Sequence, residues 1–277
     1  MGEPASDKLP SPATSETSSK PPVNPPAVLA LHGFTGCGED FAPFAPLCRN
    51  TGKWSRPDLP GHGTASEQAC DPESVEHKVR LHASNIARPR ILLGYSMGAR
   101  AALLHATHSP GSWNALILIS GNPGLQNTAE RQARAQSDEE LARWIETKGV
   151  KHFLRRWHEH PLIQSQRKIK PPWRYRMLRH RLKQSARGLA DSLRGFGPAS
   201  CPDLWPHLHK LRMPVLLLCG EEDQCYAALA ELMAARMPRA HTAIIEKAGH
   251  MPHLENPQAA ANAIQRFVKE LAPGNQT

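Results

Sequence analysis

The stretch Gly94-Tyr95-Ser96-Met97-Gly98 constrains this chain more than any other. It follows an apolar run, Ile91-Leu92-Leu93, and precedes a helix-forming one from Arg100 to Ala106. Strand, G-x-S-x-G, helix is the setting of a nucleophile elbow. A chain that turns from strand into helix within so few residues holds the serine in a strained conformation. The positions two before and two after it must then be small. The serine hydroxyl stands clear of the sheet at a helix N-terminus, where peptide dipoles favour developing negative charge. The plain alternative is a serine that only caps the helix with its side chain.

Around that stretch, composition marks what can fold. Residues 1–26 are rich in Pro, Ser and Thr and nearly free of large apolar side chains, so they are expected to form a disordered tail. They lack the basic and apolar regions of a signal peptide. No apolar run reaches the length of a membrane span, so none is expected. The remainder suits one α/β domain with an insertion. None of the six cysteines (Cys37, Cys48, Cys70, Cys201, Cys219 and Cys225) lies in a C-x-x-C pair. They read as reduced thiols of a cytoplasmic protein, with no zinc site.

The ordered part opens with Ala27-Val28-Leu29-Ala30-Leu31, a run of strand length. His32-Gly33-Phe34-Thr35-Gly36 follows it. In chains built around an elbow serine, such a loop supplies one amide of an oxyanion hole. Phe34 is the candidate for that amide, with Met97 as its partner; a plain glycine turn is the alternative. Asp58-Leu59-Pro60-Gly61-His62-Gly63 reads as a turn after a poorly marked strand at 54–57, and residues 72–88 read as a helix. Further strands are expected at 115–119, 214–218 and 243–245. Strands alternating with helical stretches indicate a mostly parallel sheet with helices on both faces. No strand pair is seen upstream of Val28.

Between the strands at 115–119 and 214–218 lies a segment far longer than an ordinary crossover, with helical texture. It reads as a helical lid, residues 126–200, inserted into a core made of 27–125 and 201–277, and lying over the sheet edge where ligands bind. Residues 128–194 hold 17 Lys and Arg against 7 Asp and Glu, a net of +10 against +9 for the whole chain. A solvated helix surface accounts for most of these side chains, and a basic stripe also permits nucleic-acid binding. No nucleic-acid motif accompanies it. The favoured partner is a small polyanionic carboxylate substrate, with some arginines turned inward.

The partners of Ser96 come in the order serine, acid, histidine. Asp223 follows the strand at 214–218, with Glu221 and Glu222 as rivals. His250 follows the strand at 243–245, with Gly249 allowing a tight turn and His253 as its competitor. In a triad, Asp223 would fix the imidazole tautomer and His250 would take the Ser96 proton.

These motifs resemble the α/β-hydrolase superfamily over about residues 27–271. The lid narrows the resemblance. Pro123-Gly124-Leu125, Glu130-Arg131, Arg134, Asp138, Trp157, Pro161-Leu162, Gln164-Ser165-Gln166, Arg181-Leu182, Leu193-Arg194 and Gly197 are similar to the lid of the 2-succinyl-6-hydroxy-2,4-cyclohexadiene-1-carboxylate synthases of menaquinone biosynthesis. The resemblance implies a lyase that eliminates pyruvate from 2-succinyl-5-enolpyruvyl-6-hydroxy-3-cyclohexene-1-carboxylate, with no metal or organic cofactor. It implies triad roles for Ser96, Asp223 and His250, and substrate contacts for Tyr95, Arg134, Trp157 and Arg181. Two departures from the family pattern are Ala99, where a second glycine is usual after the elbow, and the polar tail in place of an N-terminal hairpin. A serine hydrolase acting on a carboxylate-bearing ester, thioester or C–C bond uses the same parts. A non-catalytic binding protein on this fold is a third reading.

Overall fold

The computed structural model describes residues 24–271. Six strands form one sheet: β1 (Ala27–Leu31), β2 (Trp54–Ser55), β3 (Arg90–Tyr95), β4 (Ala115–Ile119), β5 (Val215–Gly220) and β6 (Ala240–Ile245), in the order β2-β1-β3-β4-β5-β6. Every pairing among them is parallel. The register aligns the strand ends that matter, with Leu31 opposite Gly94 and Tyr95 opposite Ile119.

Apart from Arg90 at the start of β3, the inner strands carry almost no polar side chains because both faces are covered. On β1, Leu29 and Leu31 enter one cluster and Val28 and Ala30 the other. On β4, Leu116 and Leu118 part in the same way from Ala115, Ile117 and Ile119. The first cluster is closed by α1 (Pro72–Ser84), α2 (Met97–His108) and, later in the chain, the helix Gln224–Ala234; the second is closed by Phe41, Phe44 and the C-terminal helix Pro257–Glu270.

Several bounds differ from the sequence reading. The helix expected over 72–88 stops at Ser84, with Asn85 at its C-terminal cap. β5 runs on to Gly220. β6 starts at Ala240, three residues before the apolar run, because an edge strand leaves half its side chains in water and needs no continuous apolar sequence. β2 is only two residues long. Of the expected tail 1–26, residues 1–23 lie outside the described residues, whereas the Pro26 carbonyl already accepts a 2.8 Å bond from the Gly52 N–H.

Between β4 and β5 the chain forms four helices: α3 (Thr128–Trp157), α4 (Pro161–Gln164), α5 (Pro171–Leu182) and α6 (Ala186–Phe196). α3 is broken at Gly149, whose φ of 76° turns the chain. α3 and α6 share a small core of Ile145, Phe153, Leu154, Leu189 and Leu193, against which Phe34 packs from the β1 loop, whereas Met177 of α5 joins the second sheet cluster. The segment is therefore seated on the C-terminal ends of the strands. After β5 come α7 (Gln224–Ala234), α8 (Pro252–Glu255) and α9 (Pro257–Glu270). No helix among the described residues is long and apolar enough to cross a membrane.

Candidate active site

Ser96 sits between β3 and α2 with φ 52° and ψ −110°. It makes no capping bond, which removes the helix-cap reading. The flanking glycines are required by close approach. A Cβ on Gly94 would lie 2.3 Å from the Gly98 carbonyl oxygen, and one on Gly98 would lie 2.1 Å from that of Leu31. These neighbours are backbone and cannot swing away.

The Ser96 Oγ is 3.0 Å from His250 Nε2, and His250 Nδ1 is 2.6 Å from Asp223 Oδ2. An ionised carboxylate only accepts, so Nδ1 carries the proton and Nε2 is left to accept from the serine hydroxyl. His250 and Asp223 are buried. The loops that carry them meet through backbone bonds: Glu221 N–H to Ile245 O and Glu222 N–H to Ala248 O, both 2.9 Å. The rivals are engaged elsewhere. Glu221 accepts from the Lys247 N–H at 3.0 Å, and Glu222 pairs with Lys168. His253 is buried against Phe41, with ring centroids 5.2 Å apart, and burial pushes its pKa down to about 3. Gly249 does not serve a left-handed turn. The positive φ in that loop belongs to Lys247, at 56°.

The loop around Phe34 is shaped by two histidines. His32 Nε2 accepts from the Leu59 N–H at 2.9 Å, and His62 Nε2 accepts from the Thr35 N–H at 3.2 Å. Their Nδ1 atoms face the carbonyls of Gly33 and Pro60. Each ring thus uses one donor and one acceptor, the pattern of a neutral imidazole. Burial holds both below the usual histidine range, His62 at about 3. The turn read at Asp58–Gly63 is thereby tied to the candidate oxyanion loop.

A cavity of about 790 Å³ opens over Ser96. Phe34, Tyr95, Met97, Arg134, Trp157, Arg181 and His250 all line it, with Asp223 behind His250. Arg181 is 3% exposed; its Nη1 donates to Gln166 Oε1 at 2.9 Å and its Nε has no partner among the described residues. Trp157 Nε1 is likewise buried without a partner among those residues. Buried polar groups are normally satisfied, so these are two cavity-lining residues that each hold a donor unpaired among the described residues. Arg134 is half-exposed and its Nε donates to Asp138 Oδ1 at 2.9 Å. Burial pushes the Asp138 carboxyl up, against the pull of Arg134.

Of the 17 basic side chains in residues 128–194, only Arg134, Arg156 and Arg181 line the cavity. Others stay outside, such as Arg194, which pairs with Glu139 and Glu146. Sequence reasoning missed Arg100, Arg156 and Tyr226 as cavity residues. Arg100 could have been found, since it is four residues beyond Ser96 and so on the same helix face. Arg156 and Tyr226 carry no such local signal. Away from the cavity, Cys37, Asp40 and His180 place one ligand atom each within 4.8 Å of one another. They bond among themselves, His180 Nδ1 lying 3.3 Å from Cys37 Sγ and 3.2 Å from Asp40 Oδ1, and Arg181 adds positive charge beside them.

Residues 28–263 match the model of the alpha/beta hydrolase family. This chain belongs to the alpha/beta hydrolase family. Within that family, a Serratia proteamaculans protein named 2-succinyl-6-hydroxy-2,4-cyclohexadiene-1-carboxylate synthase is 30% identical, over 88% of this chain and 93% of its own. A Bacillus subtilis relative, given the same name provisionally, is 32% identical over 88% of this chain and 91% of its own. Among solved alpha/beta hydrolase structures, MenH from S. aureus superposes with a TM-score of 0.84 at 27% identity, covering 90% of this chain and 95% of that one. These matches span the helical insertion as well as the sheet.

Proposed function

We propose that this chain is a 2-succinyl-6-hydroxy-2,4-cyclohexadiene-1-carboxylate synthase, a lyase of menaquinone biosynthesis that releases pyruvate from 2-succinyl-5-enolpyruvyl-6-hydroxy-3-cyclohexene-1-carboxylate. One observation carries the reading. The cavity that holds Ser96 also holds Arg181, a buried cation with an unsatisfied Nε and no carboxylate in ion-pair contact among the described residues. A carboxylate-bearing substrate would complete it. The names of the relatives point the same way.

Ser96 acts as the base, its own proton passing to His250, whose imidazolium Asp223 stabilises. It removes the proton from the ring carbon that bears the succinyl group. That C–H is acidified by the adjacent ketone and the ring double bond. The electron pair forms a double bond at the succinyl-bearing carbon, the original ring double bond shifts, and the bond from ring carbon to enolpyruvyl oxygen breaks. His250 then protonates the leaving group, which emerges as pyruvate. Charge that develops on the succinyl ketone oxygen is met by the N–H groups of Phe34 and Met97 at the head of α2. Arg134 and Arg181 hold carboxylates, while Tyr95 and Trp157 wall the ring. The reaction is redox-neutral and each proton has a protein carrier, so no cofactor enters the scheme. The reading makes this a cytoplasmic enzyme, in keeping with six unpaired cysteines.

The test is the purified protein with the succinyl-enolpyruvyl substrate, followed by pyruvate release. Pyruvate release that is lost in Ser96→Ala is expected. An acyl-enzyme on Ser96 with activated esters, and no pyruvate, would instead assign a serine hydrolase.

A further inference from the structure

Glu255 lies outside the cavity lining, yet its carboxylate meets the chain on both sides of His250. Oε2 accepts from the Gly249 N–H at 2.6 Å, and Oε1 accepts from the Met251 N–H at 3.0 Å. The carbonyl between them, that of His250, accepts from Ser120 Oγ at 3.0 Å. The backbone around the histidine is thus held from opposite directions. Glu255 itself is buried at the end of the single-turn helix α8.

The same carboxylate reaches the helical insertion. Ser165 Oγ donates to Oε1 at 2.9 Å, from the turn Ser165–Lys168. Gly249 makes this junction possible, since a Cβ there would lie 2.3 Å from Ser165 Oγ. Three residues on, Lys168 pairs with Glu222, the neighbour of Asp223. One turn of the lid therefore touches the histidine loop and the acid loop.

We propose that Glu255 is a positioning residue. It fixes the peptide of His250 so that Nε2 faces Ser96, and it couples that position to the seating of the lid through Ser165. The proposal rests on the reading of Ser96, His250 and Asp223 as the catalytic triad. Its physical basis is donor counting. Two backbone N–H groups and one hydroxyl converge on two oxygens that only accept when ionised. Glutamine has the same size but must turn an NH₂ toward one of the two amides. One donor is then left facing another donor, and that side of the clamp opens. Misplacing a catalytic group by about 1 Å can cost on the order of 100-fold.

The experiment compares Glu255→Gln, Ser165→Ala and His250→Ala, alone and in pairs, in the full-length chain. The readouts are kcat and KM for pyruvate release, the rate of Ser96 labelling by a fluorophosphonate, and thermal unfolding. For Glu255→Gln, kcat and labelling should both fall by about 10- to 100-fold with KM within about two-fold. Ser165→Ala, which removes only the lid bond, should lose less and add nothing in the Glu255→Gln background. In the His250→Ala background, Glu255→Gln should change neither rate, because Glu255 acts through the histidine. Unchanged kcat in Glu255→Gln overturns the proposal. So does an equal further loss in His250→Ala, which would mark Glu255 as a part of the fold alone. Retained activity in His250→Ala and in Ser96→Ala would instead overturn the triad reading, a distinct result.

Discussion

Arg181→Met tests the proposed substrate contact of Arg181 separately from stability. In the free protein the guanidinium is 3% exposed and, among the described residues, has one neutral partner in Gln166 and leaves Nε unsatisfied. Burial holds its pKa below the usual arginine value despite Asp40 nearby. Losing the Gln166 bond should cost about 1–3 kcal/mol. Removing a poorly compensated buried charge returns an amount of similar size, since an apolar side chain of like volume often replaces such a charge at no cost. The midpoint of thermal unfolding should therefore move by only a few degrees, at about 2–4 °C per kcal/mol. Binding has no such offset. A charged hydrogen bond to a substrate carboxylate contributes about 1.5–3 kcal/mol, so kcat/KM for the anionic substrate should fall by about 10- to 150-fold. Arg181→Lys should recover part of this, because a point charge lacks the paired donors of the guanidinium. The assay is pyruvate release beside turnover of a small neutral ester, with unfolding scans of each variant. Equal losses on both substrates, or a loss that tracks a large fall in melting temperature, would show that Arg181 holds the lid rather than the substrate.

Three further outcomes are expected. Ser96→Ala, His250→Ala and Asp223→Asn should each lose most activity while folding normally, and the double variants should lose little more than the singles if the three act as the one unit proposed; additive losses in steady-state kinetics would contradict this. His253 has a folded pKa of about 3 against an unfolded value near 6.5, so its contribution is complete above pH 6.5 and is lost as pH falls toward 3, amounting to about 2 kcal/mol at pH 5. His253→Phe should flatten the fall in melting temperature between pH 7.5 and pH 5, and an unchanged slope would mean that the ring is protonated in the fold. Gly98→Ala should abolish activity and destabilise the chain by at least about 1–3 kcal/mol, since its Cβ meets the carbonyl oxygens of Leu31 and His32 at 2.1 and 2.6 Å; a stable, active variant would refute the account of the elbow.

What the sequence determined by itself was local. The strand, the strained serine, its flanking glycines and the helix lie within nineteen consecutive residues, 90–108, and their conformation follows from sterics that no distant contact needs to supply. The buried strands were legible because both their faces are covered and their sequences are continuous apolar runs, such as Ile91-Leu92-Leu93 and Ala115–Ile119. β6 was only partly legible, because an edge strand lacks that run. The chain order of Ser96, Asp223 and His250 was equally readable, since each falls just beyond a strand. Tertiary structure decided between candidates that look alike in sequence. Glu222 and Asp223 are adjacent, yet one reaches Lys168 and the other His250. His250 and His253 are three residues apart, yet one faces Ser96 and the other packs on Phe41. Arg181 turns inward while Arg194 turns to Glu139 and Glu146, and Glu255 meets Ser165 from ninety residues away. Composition and periodicity cannot separate these, because a side chain's direction at a loop or helix surface is set by which distant segment packs against it.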